Sequence, residues 1–177
     1  MRATTLRGRV WVLSDSSGRL IEDIDTDQIF HNAHLHITEI SQMGPHALGN
    51  LEGWKDFPKK ARPGDILVAG RNFGAGSSRQ QAVDCFVALG ITAIIAPSYS
   101  AIYFRNAVNT GFPVLRAEGL DRAAAEGRLL SGDEIEIDLQ TGRGRNLTRN
   151  ESLNVEPLSG VQREILEAGS LFRLKRD

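Results

Sequence analysis

The middle of the chain alternates short apolar runs with segments of helical spacing, and this pattern constrains the fold more than any other feature. Residues 66–70 form a continuous apolar run that is typical of a buried strand. Residues 82–89 follow with apolar side chains at helical spacing and are closed by a glycine. The order recurs in the strand-like run 92–96, the helical segment 100–109 and the strand-like run 112–115. Such an order predicts a parallel α/β core with right-handed crossovers.

The N-terminal third is expected to add a strand and a long loop to this core. Residues 4–13 are rich in β-forming side chains and predict a strand, and residues 24–30 predict a short extended stretch. Residues 31–60 are irregular, with several glycines and prolines. A loop of this length in a compact domain is usually functional or mobile.

The C-terminal third is more polar and predicts smaller elements. They are a helix at 120–130, a strand at 133–138 that pairs with 141–148 as a hairpin, and a last amphipathic helix at 161–168. No repeat or linker marks a boundary, so a single domain covering 1–177 is expected.

Composition argues against several classes of function. The formal net charge of -1 gives no reason to expect a nucleic acid or an anionic membrane as partner. No apolar run approaches the roughly 20 residues of a membrane span, and the first residues lack a signal-peptide core, so a cytoplasmic protein is expected. Cys85 is the only cysteine and is expected in the core. An iron–sulfur cluster needs about three or four thiolates, so this chain alone cannot hold one.

A polar turn at residues 72–79 joins the first buried strand of the core to its helix. Its glycines allow positive φ and a close approach to a ligand. Its serines are expected to cap the helix, whose first N–H groups and dipole would favour an oxyanion. Arg79 adds a planar donor suited to a carboxylate. The alternative is a plain helix cap on a flexible turn.

Two phosphate-binding turns fit this segment less well. A P-loop requires a lysine followed by serine or threonine, whereas the glycines here are followed by Ser77 and Ser78. The dinucleotide-binding fingerprint requires a third glycine at the position of Arg79. A carboxylate is therefore the preferred ligand class.

Three segments together resemble the swivelling domain of the aconitase superfamily. They are DIDTDQIFHNAHL, NFGAGSSRQQA and IIAPSYSAIYFRNAVNTGFPVL, which keep their order and approximate spacing across about residues 22–116. In length and sequence the chain is most similar to the free-standing small subunits of the isopropylmalate isomerase and homoaconitase branches. The resemblance implies a β/β/α domain with a short parallel sheet flanked by helices.

The resemblance also implies a hydro-lyase that isomerises a hydroxy di- or tricarboxylate by removing water and adding it back. The serine that acts in the family as the alkoxide base corresponds to Ser77, and Gly76, Ser78 and Arg79 correspond to substrate-binding positions. A helix N-terminus and an arginine would stabilise such an alkoxide. The family's 4Fe–4S cluster belongs to a large subunit, so a heterodimer or heterotetramer with that partner is implied.

A short loop in the two-subunit members of the family contacts the variable group of the substrate. The matching residues here are 34–37, with Leu35, His36 and Ile37 as candidate substrate contacts. Ile37 favours an apolar group such as isopropyl, whereas a protonated His36 could pair with a third carboxylate. Isopropylmalate is the preferred substrate, which implies leucine biosynthesis, and homoaconitate is the alternative.

Three positions depart from the family pattern. They are Ala75 between the signature glycines, Gln80 after the arginine, and Ala101 in the third segment. The changes at positions 80 and 101 remove a carboxylate and a positive charge. They motivate an alternative of another class, a non-catalytic carboxylate-binding module. A phosphate-binding module is a third alternative.

Two further groups of side chains have competing interpretations. The histidines of residues 31–46 could form a metal site, but loop histidines near an anionic substrate are the simpler account. Asp25 and Asp27 could form a catalytic carboxylate pair, but they are expected to accept backbone N–H groups in a turn.

Overall fold

The computed structural model describes residues 4–174, and the strands of this part form one seven-stranded sheet. In chain order they are β1 Thr5–Val12, β2 Ile66–Val68, β3 Ala93–Ala96, β4 Val114–Arg116, β5 Glu134–Asp138, β6 Gly144–Asn146 and β7 Glu151–Ser152. Across the sheet the order is β4-β3-β2-β1-β5-β6-β7. Because β1 pairs parallel with β2 and antiparallel with β5, it joins a parallel half to an antiparallel half.

The α-helices of the described part connect or flank these strands. They are α1 Thr26–Ile29, α2 Phe57–Lys60, α3 Gln81–Leu89, α4 Ala101–Asn109, α5 Leu120–Ala125 and α6 Gly160–Ala168. The prediction of a parallel α/β core is confirmed, because α3 links β2 to β3, α4 links β3 to β4, and both strand pairs are parallel. As predicted, α3 ends where Gly90 takes a left-handed conformation with φ 76°.

Successive residues of the parallel strands point to opposite faces, and both faces are buried. Leu67 and Ile94 lie in one core cluster with side chains of α3 and α4, including Phe86. Ile66 and Ile95 lie in a second cluster with side chains of α5 and of the antiparallel strands. Both crossover helices therefore cover one face, while α5 and the antiparallel half cover the other.

The C-terminal elements follow the predicted order. The hairpin is confirmed by the antiparallel pairing of β5 with β6. The helix predicted at 120–130 ends earlier, at Ala125, because Gly127 takes a left-handed φ of 70° just beyond it. The last helix begins at a capping box in which the Ser159 side chain accepts from the backbone of Gln162. No helix of residues 4–174 is long and apolar enough to cross a membrane.

The prediction of an extended stretch at 24–30 is wrong at its centre, where the chain forms α1. Asp25 accepts from the backbone N–H of Gln28, and the Gln28 side chain accepts from the backbone N–H of Asp25, which makes a capping box. A helix of one turn is too short to show a periodic pattern, so only the Asp-x-x-Gln spacing could have revealed it.

The irregular segment 31–60 is held by its own buried side chains. It contains three 3₁₀ turns, Asn32–His34, Ile40–Gln42 and Gly44–His46, followed by α2. Met43, Leu48 and Phe57 are at most 3% exposed and pack into the same core cluster as α3. The long loop is therefore a layer packed against α3 rather than a free connection.

Candidate active site

The three segments that carry the family resemblance meet beyond the carboxyl ends of β2 and β3. On one side, Gly74 N donates to Ile24 O at 2.8 Å and Thr26 N donates to Ala75 O at 2.9 Å. On the other side, Phe73 N donates to Ser98 O at 3.2 Å and Ser100 N donates to Phe73 O at 3.0 Å. Residues 73–75 thus lie between the other two segments and prolong the parallel pairing of the sheet.

The first signature glycine is required by both its backbone conformation and its surroundings. Gly74 has φ 82°, and a Cβ at this position would lie 2.2 Å from Cγ of the buried Tyr103 ring. Tyr103 cannot easily move away, since its hydroxyl donates to Ala82 O at 2.9 Å and its ring packs edge-on against Phe73. Gly76 also has a positive φ, of 90°, but a Cβ there would make only ordinary contacts, with Thr26 Oγ1 at 3.6 Å and Asp25 Cβ at 3.8 Å. The close approach to Tyr103 is therefore specific to Gly74, whereas both glycines take a positive φ that other residues adopt only with strain.

The expectation that serines cap the following helix is wrong. The N-cap of α3 is Gln80, and no side chain caps this end. The backbone already turns at Arg79 and Gln80, so the N–H groups of Ala82 and Val83 donate to the carbonyls of those two residues at 3.1 and 2.9 Å. These N–H groups are consequently not directed at a ligand, and Ser77 and Ser78 lie in the loop ahead of the helix.

The two serines are exposed and differ in their partners. Within the described residues, the Ser77 hydroxyl makes no hydrogen bond, whereas Ser78 Oγ accepts from Asn106 Nδ2 at 3.2 Å. Asn106 belongs to the last turn of α4. Nothing in the spacing of the sequence indicated this contact, because it joins residues 28 positions apart.

The side chain of Arg79 points toward α1, away from α4, which contacts Ser78. The Arg79 side chain is 11% exposed, and Nη1 donates to Phe30 O at 2.7 Å and to Asp27 Oδ1 at 3.1 Å. The same nitrogen lies 3.4 Å from Thr26 O. Within residues 4–174, Nε and Nη2 of this guanidinium make no hydrogen bond, so they are the groups that could bind a carboxylate.

Asp27 holds Arg79 in place, which the sequence interpretation missed. Its carboxylate also accepts from the backbone N–H of Asn32 at 2.9 Å and from Asn50 Nδ2 at 3.2 Å. The Asn32 hydrogen bond, together with Arg79, holds the pKa of Asp27 below its usual value despite partial burial. The prediction that Asp25 and Asp27 accept backbone N–H groups is confirmed, the former as the cap of α1.

The candidate specificity loop presents two of its predicted residues to solvent. Leu35 and His36 are exposed, whereas Ile37 is half-buried against the main core cluster. Gln81 Nε2, at the start of α3, lies 3.5 Å from Leu35 O, so the loop lies beside the signature segment. An incoming group would therefore meet Leu35 and His36 before Ile37.

The histidines of the loop form a packed group. The rings of His34 and His46 stack with centroids 3.8 Å apart, and His31 lies edge-on to His34. Burial, followed by the positive charges available on the neighbouring histidines, lowers the pKa of His34. Among the described residues, no three or more His, Cys, Asp or Glu side chains are arranged to hold a metal ion.

The departures from the family pattern lie in different environments. Ala75 is half-buried and pairs with the Asp25 segment, and Ala101 is exposed at the start of α4. Gln80 donates through Nε2 to Asp84 Oδ1 at 3.1 Å and to Thr110 Oγ1 at 2.8 Å. Gln80 is therefore part of a hydrogen-bonded group, whereas the position of Ala101 is exposed to solvent.

Comparison with known proteins identifies the family and the fold of this chain. Residues 23–118 match the Aconitase C-terminal domain family, and the chain belongs to that family. Within it, the chain is 43% identical over 168 residues to the 3-isopropylmalate dehydratase small subunit of Pyrobaculum calidifontis, which covers 95% of both chains. It is 38% identical over 167 residues to the isopropylmalate/citramalate isomerase small subunit of Methanocaldococcus jannaschii, covering 94% of this chain and 91% of the relative.

A solved structure agrees with these relatives. The crystal structure of 3-isopropylmalate dehydratase (LeuD) from Methanocaldococcus jannaschii superposes with a TM-score of 0.81 at 34% identity, covering 96% of this chain and 92% of the other. The resemblance found in three short segments thus extends over nearly the whole length. The predicted membership of the aconitase superfamily and the predicted fold class are confirmed.

Proposed function

We propose that the chain is the small subunit of a 3-isopropylmalate dehydratase, a hydro-lyase that isomerises its hydroxy acid by dehydration and rehydration. The observation that carries the proposal is the junction at which the exposed Ser77 and Ser78 precede the largely buried Arg79, beside the candidate specificity loop. The similarity of the chain, over nearly its full length, to 3-isopropylmalate dehydratase small subunits supports the choice of reaction.

In this proposal Ser77 is the base. Its hydroxyl is exposed and makes no hydrogen bond within the described residues, so it is accessible to a substrate C–H group. As an alkoxide it takes the proton in the dehydration direction and returns it in the hydration direction. A serine hydroxyl needs strong electrostatic support to ionise, and we assign that role in this chain to the guanidinium of Arg79, two residues further along the chain.

Ser78 and Arg79 bind a substrate carboxylate. Arg79 is held by Asp27 and Phe30 O through one nitrogen, which leaves Nε and Nη2 to form a two-pronged contact with the ligand. Because Ser78 Oγ already accepts a hydrogen bond from Asn106, the Ser78 hydroxyl hydrogen is available to donate to the same carboxylate. Gly76, with its positive φ, lets the backbone pass close to the ligand.

The residues of this chain do not fit an iron–sulfur cluster. Cys85 is the only cysteine, and it is fully buried in α3, where burial raises the pKa of its thiol. We therefore assign the 4Fe–4S cluster to a large-subunit partner in a heterodimer or heterotetramer, within the cytoplasm.

The exposed Leu35 favours a substrate whose variable group is apolar and uncharged. Leu35 offers an apolar contact, and no arginine is present in residues 34–37 to pair with a third carboxylate. Isopropylmalate is accordingly the first candidate substrate. Citramalate is the second, because one close relative is named for both substrates.

Reconstitution with the large subunit from the same organism tests the proposal. Under anaerobic conditions the complex is expected to interconvert 2- and 3-isopropylmalate, and Ser77→Ala is expected to lower kcat by about 10²–10⁴-fold while the subunits still assemble. Ser41→Ala, which removes another exposed serine hydroxyl, is the matched control. A wild-type complex that binds hydroxy acids without turnover would instead identify a non-catalytic carboxylate-binding module.

A further inference from the structure

The residues on either side of Arg79 are hydrogen-bonded to the C-terminal end of α4, Ser78 to its last turn and Gln80 to Thr110, which directly follows it. Ser78 Oγ accepts from Asn106 Nδ2 at 3.2 Å, and Gln80 Nε2 donates to Thr110 Oγ1 at 2.8 Å. The side chain of Arg79 itself turns the other way, toward α1. The tripeptide 78–80 is therefore held from two sides, and Asn106 and Thr110 together form what we call the α4 anchor.

In the hydrogen bonds that Gln80 makes with Thr110 and Asp84, the donor and the acceptor are both determined. Thr110 Oγ1 donates to Asn106 O at 2.6 Å, so its oxygen is left to accept from Gln80. The second N–H of the Gln80 amide is then used by Asp84 Oδ1 at 3.1 Å. Both amide hydrogens of Gln80 have an acceptor, which fixes the orientation of this side chain.

Asp84 is the buried end of the group. It is 9% exposed, and its carboxylate receives one side-chain hydrogen bond, from Gln80. The titratable groups that interact with it are Cys85 on the same helix and Tyr103 on α4. Burial raises the pKa of both, so neither is charged near neutral pH and Gln80 is the polar partner on which Asp84 depends.

We propose that Asn106 and Gln80 are positioning residues for the carboxylate-binding pair Ser78 and Arg79, and this inference rests on the proposed function. Asn106 fixes Ser78 Oγ with its hydrogen directed at the substrate. Gln80 ties the backbone next to Arg79 to the α4 anchor and to Asp84. Glutamine is suited to this position because a glutamate would have no hydrogen to give to either Thr110 or Asp84.

A double-mutant cycle in the reconstituted complex tests the role of Asn106. Asn106→Ala is expected to lower kcat/KM by about 10–100-fold in the wild-type background and by less than about 3-fold when Ser78 is already alanine. Asn109→Ala, which removes an amide of the same helix that makes no hydrogen bond within the described residues, is expected to leave the rate unchanged. Equal losses in both backgrounds would overturn the positioning role.

A pH profile tests the role of Gln80. Gln80→Glu places a second carboxylate beside Asp84, and two such groups cannot both ionise without strong repulsion. The variant is expected to lose activity as pH rises, to recover at lower pH when the pair shares a proton, and to be rescued by a second change, Asp84→Asn. A Gln80→Glu profile that parallels the wild-type profile would overturn this part.

The outcomes distinguish a failure of the positioning role from a failure of the proposed function. A wild-type complex that turns over isopropylmalate while both tests fail refutes the positioning role and leaves the proposed function intact. A wild-type complex without turnover on any of the hydroxy acids refutes the proposed function, and the positioning role with it.

Discussion

Replacing Gly74 by alanine separates the two reasons why the signature needs a glycine. Gly74 and Gly53 have the same φ of 82°, but a Cβ at Gly53 would meet nothing within 4 Å, whereas a Cβ at Gly74 would lie 2.2, 2.4 and 2.6 Å from three atoms of Tyr103. The left-handed backbone costs about 1–2 kcal/mol in either alanine variant. The difference between Gly74→Ala and Gly53→Ala therefore measures the steric conflict alone.

The expected size of that difference follows from how firmly Tyr103 is held. Its ring is 2% exposed and its hydroxyl donates to Ala82 O, so relief requires the ring or the signature backbone to move. Overpacking of a buried site costs about 1–3 kcal/mol, and this conflict belongs at the upper end. For a domain of this size, about 3 kcal/mol corresponds to a Tm roughly 6–12 °C lower.

Thermal unfolding of the two variants, followed by circular dichroism and calorimetry at the same pH, is the measurement. Gly74→Ala is expected to melt well below Gly53→Ala, which is itself expected to melt roughly 2–8 °C below the wild type because its left-handed backbone costs about 1–2 kcal/mol. If the two variants melted within about 2 °C of each other, the close approach between the signature and Tyr103 would not be a constraint, and the reasoning would be wrong.

Two carboxylates predict opposite pH dependence of stability. Burial by itself would raise the pKa of Asp65, but hydrogen bonds from Arg9 and Trp11, and from the backbone of residue 62, outweigh it and hold the pKa below its usual value. The stabilising contribution of Asp65 is therefore present above about pH 4 and is lost as pH falls through the folded-state pKa. Asp65→Asn is expected to lower the free energy of unfolding by about 2 kcal/mol at pH 7 and to weaken its dependence on pH in acid. Burial raises the pKa of Asp84, so the free energy of unfolding falls as pH rises through that pKa. The stability of Asp84→Asn relative to the wild type is therefore expected to be greater at pH 8 than at pH 4. Urea unfolding of both variants at pH 4, 7 and 8 checks these signs, and parallel curves for variant and wild type would contradict them.

The central core could be predicted because its signals are local. The run at 66–70 is apolar throughout since β2 is buried on both faces, and α3 ends where Gly90 provides the left-handed residue that the chain needs. The helix at the end of the chain was likewise indicated by its amphipathic pattern. Each of these elements is specified by residues within a few positions of one another.

The cap of α3 shows where a local signal was misleading. Two serines before a helical pattern are typical of an N-cap, yet the backbone begins to turn at Arg79 and Gln80 and leaves the serines outside. The prediction for the residues of α1 was wrong because a signal was missing, since one turn is too short for a periodic pattern to appear. For α3 the observed turn at Arg79 and Gln80 differs from the local N-cap signal, whereas α1 begins at a local capping box that the periodicity does not reveal.

The amino-acid sequence by itself determined the order of strands and helices, the glycine positions of the signature and the family to which the chain belongs. Only the tertiary structure decided that Arg79 is held by Asp27 and that Ser78 is held by Asn106. These partners lie 52 and 28 positions apart in the chain. Periodicity and turn chemistry specify how a segment folds, but the meeting of distant side chains depends on how the sheet and helices pack around a shared core.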